Sequence, residues 1–398
     1  MGHTDYSQAF GDVTVQRNVM AFVGNGFDIQ TLNDYQSRVD TRYTHFHDFL
    51  EQRHFDPNDP ILKKMQRLKK EGVSDWSDVE GAVDRLLEQP GWQQQIAELS
   101  TALRKLQGQF AEFLDRVIPS TLLTDLGRDS SRNMWARESL MAFLYDLPDD
   151  AYRASRFPTY VNQELYNFVF VNFNYTSLLD DYIYLDQEQF DPLPNKREDR
   201  NCTFHNNPRG VTNAAVRPGD LSSSYVIAEV VHPHGQHSIP RSLLFGIDEP
   251  ATSSNNHDPR LRLAKPFWAQ TRPRYGHLFE DTALFIIFGS SLGAVDRWWW
   301  RNIAEALSQE QFSHGPSDRC PNTDHQRCTY RPELIIYWYN DPASPMTEDE
   351  VREKFFNGAG CKAAEEALIH VVLHDTGTER VWLRTNTRQR PARSGQIA

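Results

Sequence analysis

Apolar residues follow two different spacings along this chain, and the change between them divides it. The run Val19-Met20-Ala21-Phe22-Val23 is short and continuous, as a buried strand requires. From about residue 32 to residue 157 the spacing becomes three and four. Trp92, Ile96, Leu99, Leu103, Leu106, Phe110, Phe113 and Val117 mark one face of a helix, about 40 Å long at the standard rise. Tyr35, Val39, Tyr43, Phe46 and Phe49 predict another helix. Trp76, Val79, Val83 and Leu86 predict a third, and Leu140, Phe143, Leu144 and Leu147 a fourth, with Pro90 and Pro119 as breaks. From Tyr166 onward, strand candidates recur at 168–173, 225–231, 243–245, 284–288, 334–339 and 369–373. Helical stretches follow Asp296 and cover the region 348–368. Strands alternating with helices predict an α/β fold with a mostly parallel sheet.

This pattern implies a discontinuous Rossmann-like core, residues 17–31 and 160–384, with a large α-helical insertion, 32–159, after the first strand. The segments 1–16 and 385–398 are polar and read as flexible ends. Two long polar connections, 186–224 and 250–276, read as binding loops or lids.

Composition narrows the function classes. At 398 residues with a net charge of −12, a broad nucleic-acid surface is disfavoured, because phosphate binding needs clustered Lys and Arg. No apolar run approaches the ~20 residues of a membrane span. The opening residues lack the basic and apolar regions of a secretion signal, so a cytoplasmic protein is expected. Cys202, Cys320, Cys328 and Cys361 form no dense disulfide framework. Cys320 and Cys328 bracket His325, but the spacing is not that of a paired zinc ribbon, and a polar loop with free thiols is the better reading.

Chemistry concentrates where the strand candidates end. Gly24-Asn25-Gly26-Phe27-Asp28 follows the first strand. Asn172-Phe173-Asn174-Tyr175-Thr176 follows the second. His232-Pro233-His234-Gly235 closes the run from Tyr225, and Gly289-Ser290-Ser291-Leu292 closes the run from Leu284. In an open parallel sheet ligands bind at these carboxyl ends, so the four tips predict one nucleotide pocket. The two glycines would let backbone N–H groups approach a pyrophosphate, although Ile29 stands where a full dinucleotide fingerprint has its third glycine. Asn174 can hold a ribose hydroxyl or cap the next helix. His232 and His234 would point the same way on an extended strand, and an imidazole can serve as general base. Ser290 and Ser291 can bind phosphate or cap a helix, as can Asp296 before Trp298-Trp299-Trp300. Ser77 and Glu80 have the spacing of a capping box, which suffices to explain Glu80. Asp248 and Glu249 at the following turn could contact ribose or remain solvated.

Taken in order, these motifs resemble the AbiH family of bacterial abortive-infection proteins. The matching elements are GNGFD at Gly24–Asp28, W-x-D-x-E at Trp76–Glu80, FNYT at Phe173–Thr176, His234-Gly235, Phe245-Gly246-Ile247, and G-x-SL-x-x-x-D at Gly289–Asp296. Ser290 departs from the family, where histidine is frequent. The tips are also more distantly similar to the sirtuin-type NAD-binding pattern. That likeness implies a sirtuin-like core in which Gly24 and Gly26 form the pyrophosphate loop. It makes Asn174 the asparagine near the nicotinamide ribose and His234 the general base, with Gly289 and Ser291 on the later nucleotide tip. Thr176 stands where those proteins carry aspartate, and no four-cysteine zinc module is evident.

The resemblance implies an anti-phage protein that binds NAD as substrate or ligand and hydrolyses it to nicotinamide and ADP-ribose. Asn174 and His234 would be catalytic; on position alone, Asp28 is the candidate carboxylate near the developing ribose charge and is counted with them as catalytic. Gly24, Asn25, Gly26, Phe27, Tyr175, Thr176, Gly235, Gly289, Ser290, Ser291 and Asp296 would bind the cofactor, and no metal is expected. Two alternatives stay open. One is a non-catalytic nucleotide sensor that meets a defence partner, or a second copy, through its helical insertion. The other is a metal-dependent nuclease or phosphoesterase using His232, His234, Asp248 and Asp296.

Overall fold

The computed structural model describes residues 3–6, 9–10, 13, 15–157, 164–184, 202–205, 221–248, 258–309, 311–312, 329–361 and 368–386. Cys320, Cys328, His325, Glu249, most of the 186–224 connection and the tail beyond 386 lie outside these residues.

Continuous apolar runs become the strands of a doubly covered sheet. The strands are β1 (Val15–Val23), β2 (Glu164–Asn172), β3 (Cys202–His205), β4 (Leu221–Val231), β5 (Thr282–Phe288), β6 (Gln311–Phe312), β7 (Thr329–Tyr330), β8 (Glu333–Tyr339) and β9 (Ile369–His374). The main sheet has the order β3-β4-β2-β1-β5-β8-β9. All its pairings are parallel except β3 with β4, and β6 and β7 form a separate antiparallel pair. The protein is therefore an α/β fold. Numbered by their own succession, the six parallel strands run 3-2-1-4-5-6, the Rossmann order, which reverses between β1 and β5.

The two faces follow from the strand period of two. Val19, Ala21, Val23, Phe168, Phe170, Leu284 and Ile286 share one apolar cluster with the helices between β1 and β2. Met20, Phe22, Val169, Val171, Phe285 and Ile287 pack instead with the helices Arg297–Leu307 and Glu348–Ala359. Every residue of β2 and β5 is buried, which explains why neither strand alternates with polar residues.

Among the described residues eight helices occupy the chain between β1 and β2. The helix Trp92–Val117 matches its periodic stripe, and that stripe is its buried face. Three other expectations need correction. The stretch from Tyr35 to Phe49 is helical only from Tyr43, in the helix Tyr43–Gln52; the preceding helix, Gly26–Asp34, ends before Tyr35. Between them Gln36 takes a left-handed φ of 57° and Val39 is exposed. The helix beginning at Trp135 ends at Met141, and Phe143, Leu144 and Leu147 reach the core from turns. Residues 243–245 form no strand; Leu244 N–H instead donates to the His234 carbonyl at 2.8 Å.

Both ends of the described chain are tied in. The His3 ring is buried against the Leu278 carbonyl and Thr282 Oγ1, and Thr385 Oγ1 donates to Asp34. No described helix is long and apolar enough to cross a membrane.

Candidate functional site

The sheet order reverses where β1 and β5 run side by side, and the chain brings glycine to both tips. Gly24 N–H donates to the Phe288 carbonyl and Gly26 N–H to the Gly289 carbonyl, each at 2.8 Å. A Cβ on Gly24 would stand 2.7 Å from Gly289 O, and one on Gly26 2.5 Å from Gly289 Cα. The glycines are therefore required for backbone-to-backbone contact. The N–H groups of both glycines are engaged within the fold.

The next side chains split in direction. Phe27 is fully buried against Tyr182 and Phe288 and does not reach the site, contrary to its expected binding role. Asp28 points the other way. Its Oδ1 accepts from Asn174 Nδ2 at 2.9 Å, and its Oδ2 accepts from Thr176 Oγ1 at 2.7 Å. Asn174 Nδ2 also donates to the Gly24 carbonyl at 3.1 Å. Asn174 thus locks the tip of β2 to the tip of β1 and does not cap the following helix. Burial lifts the Asp28 carboxyl to about 7, against the two hydrogen bonds that favour its charge. On the other side, the side chains of Asn25 and Thr41 bond each other and bring residues 41–44 to the rim.

His234 is buried with its ring stacked on Phe173, centroids 5.1 Å apart. Its Nε2 lies 3.5 Å from Asp296 Oδ1. Burial first, then the nearby Lys265 charge, lower its pKa to about 3, so the imidazole is neutral at neutral pH. β4 ends at Val231, so the two histidines are not held on one extended face. His232 turns to Asp180, 2.9 Å away. Gly235 adopts φ 88° with its own chain pressed against it, since a Cβ would meet Ser242 O at 2.0 Å. It makes a turn and does not border the cavity.

A buried, ion-paired lysine stands at the centre of the site. Glu80 was explained as a cap, but the helix Val79–Leu87 is capped by Asp78, whose Oδ1 accepts Glu80 N–H at 3.0 Å. The Glu80 side chain is buried, and its Oε2 accepts from Lys265 Nζ at 2.9 Å. Lys265 Nζ also donates to Asp296 Oδ1 at 3.1 Å. Asp296 caps no helix with its side chain. Burial disfavours the Lys265 ammonium, but Asp296 and Glu80 outweigh it and hold the pKa above its ordinary value. Burial likewise opposes Asp296 ionisation, and the Lys265 charge reverses that effect, lowering its pKa. Glu80 is lifted to about 7 by burial, with Lys265 opposing. Lys265 sits in a polar connection with no motif around it.

These groups surround one cavity of about 570 Å³, within the usual range of roughly 300–1,000 Å³ for small-molecule sites. Gly24, Asn25, Gly26, Asp28, Asn174, Tyr175, Thr176, His234, Gly289, Ser290, Ser291 and Asp296 all border it. Tyr43, Phe110 and Glu80 close it from the helical layer. His232 and Asp248 do not border it, so the four residues of the metal-nuclease alternative are not gathered there. Among the described residues five that border it are acidic (Asp28, Asp75, Asp78, Glu80, Asp296), against the cations Arg42 and Lys265.

No curated protein and no solved structure matches the chain. A family model described as "Bacteriophage abortive infection AbiH" matches residues 20–314, a span from β1 past the helix Arg297–Leu307 that contains every group bordering the cavity except those on β8. The chain belongs to the AbiH family of bacteriophage abortive-infection proteins.

Proposed function

We propose that the cavity binds NAD and hydrolyses it to nicotinamide and ADP-ribose. The observation that carries this reading is the meeting of Asn174 and His234 with an acid-rich lining at the reversal point of the sheet. NAD carries a pyridinium charge at its nicotinamide end, and cleavage moves positive charge onto the ribose. Carboxylates that face this end favour the transition state.

In the proposed reaction the bond between ribose C1′ and the nicotinamide nitrogen breaks. Its electron pair leaves with nicotinamide, which becomes neutral. Water adds to C1′ and gives up one proton to solvent, leaving ADP-ribose. With Nδ2 held by Gly24 and Asp28, Asn174 offers Oδ1 to the ribose or the water. His234, as a neutral imidazole, accepts from a ribose hydroxyl or the incoming water. Its low basicity suits a step in which the leaving group departs first, because water then adds to a cation and needs little activation. The engaged glycine amides and the acidic interior direct the phosphates toward the rim, where Arg42 is half exposed.

A sensor that binds the nucleotide without turnover is the rival reading, and the weak basicity of His234 favours it. Mass spectrometry of small molecules released from the purified protein, followed by incubation with NAD, separates the two. Turnover to nicotinamide supports hydrolysis, whereas a retained intact nucleotide supports sensing. Absence of any bound nucleotide together with no effect on added NAD removes both.

A further inference from the structure

Among the described residues Lys265 is the one lysine that borders the cavity, and it lies too deep to act as a surface charge. Its backbone is fixed: Lys265 N–H donates to the Ile247 carbonyl, and Ile247 N–H to the Leu263 carbonyl, both at 2.9 Å. Its Nζ spans two acids from different layers, Glu80 from the helices and Asp296 from the tip after β5. The same Oδ1 of Asp296 that accepts from Lys265 lies 3.5 Å from His234 Nε2. Asp78 and Tyr43 from the helical layer, and Tyr175 from the end of β2, face this cluster as well. A lysine that forms a Schiff base must lose its proton readily. Two carboxylates hold the proton on Lys265, so it is not a nucleophile here.

We propose that Lys265 is a positioning residue: by occupying Oδ1 of Asp296 it leaves Nε2 of His234 as an acceptor for the ligand, and by reaching Glu80 it fixes the helical layer over the sheet tips. Without the ammonium, Asp296 would draw a proton onto His234, whose ring also bonds the Phe173 backbone. Nε2 would then donate to Asp296 and be lost to a ligand. The role matters to catalysis only if the cavity is the working site, but its test reads His234 directly and does not depend on NAD.

The test is an NMR titration of the His234 imidazole in the full chain carrying labelled histidine, with His234→Ala to assign the signal. In Lys265→Met the His234 pKa is expected to rise by more than one unit, while Lys265→Arg keeps the wild-type titration. Lys265→Met leaves Glu80 buried without its partner and can fail to fold. The double variant Lys265→Met/Glu80→Leu replaces the pair by apolar groups, which buried ion pairs often tolerate. The same upward shift is expected in it. A folded single or double variant in which His234 titrates as in wild type overturns the proposal, even if NAD turnover is seen. Conversely, the shift can appear in a protein that never hydrolyses NAD.

Discussion

Asn174 Nδ2 donates to Asp28 Oδ1 at 2.9 Å across 146 residues of sequence, joining the ends of the two strands that begin the sheet. This bond orients the Asn174 amide and gives the buried Asp28 carboxylate one of its two side-chain donors. Asn174→Ala and His234→Ala are each expected to lower NAD hydrolysis by ~100- to 10,000-fold, the usual cost of losing a positioned catalytic group. Circular dichroism should remain that of the folded protein. The check is nicotinamide release by chromatography, with the two variants measured at matched concentration.

Asp28 also sets a pH dependence. Its folded pKa of about 7 lies above the ordinary value of 3.8, so folding favours the protonated form. The stability this contributes is complete below about pH 4 and is lost as pH rises through 7. Asp28→Asn removes that dependence. The melting temperature of wild type relative to Asp28→Asn is therefore expected to be higher at pH 5 than at pH 8. An unchanged difference between the two pH values would mean that Asp28 is not buried as described.

The glycines at the β1 tip and the glycine within the long helix should behave oppositely. Gly26→Ala forces a Cβ onto the Gly289 backbone and is expected to cost about 1–3 kcal/mol, with loss of the cavity's function. Gly108 has open space around it inside the helix Trp92–Val117, and Gly108→Ala is expected to stabilise by up to ~1 kcal/mol. Urea denaturation of the two variants measures both signs.

Asp146 ties the C-terminal segment to Tyr337 of β8, which borders the cavity. It accepts from Val381 N–H and Trp382 N–H, both at 2.8 Å, and from the Tyr337 hydroxyl at 3.2 Å. Asp146→Ala leaves buried donors unpaired and is expected to cost on the order of 1–3 kcal/mol. Limited proteolysis should then cleave near residues 380–386 faster than in wild type.

Much of this architecture was legible because buried strands and helices leave different spacings. The helix Trp92–Val117 and the runs that became β1, β2, β5, β8 and β9 could be read directly, as could the placement of Asn174 and His234 at strand ends. Where the chain turns without glycine or proline, the pattern misled. Gln36 turns the chain between two helices with no sequence mark, and Phe143, Leu144 and Leu147 are apolar because turns there face the core. Phe27 and Gly235 carry motif positions but serve packing and a turn. Lys265 escaped notice because no local pattern distinguishes a lysine paired with two remote acids from a solvated one. The cap reading of Glu80 failed for the same reason: spacing along a helix is visible in sequence, and a partner 185 residues away is not.

The central claim is that this cavity consumes NAD. Its most direct test is the NAD and nicotinamide content of phage-infected cells that carry either the wild-type chain or Asn174→Ala at equal abundance. NAD should fall and nicotinamide rise after infection only with the wild type. Equal NAD in the two cultures, while the wild type still blocks phage growth, would contradict it.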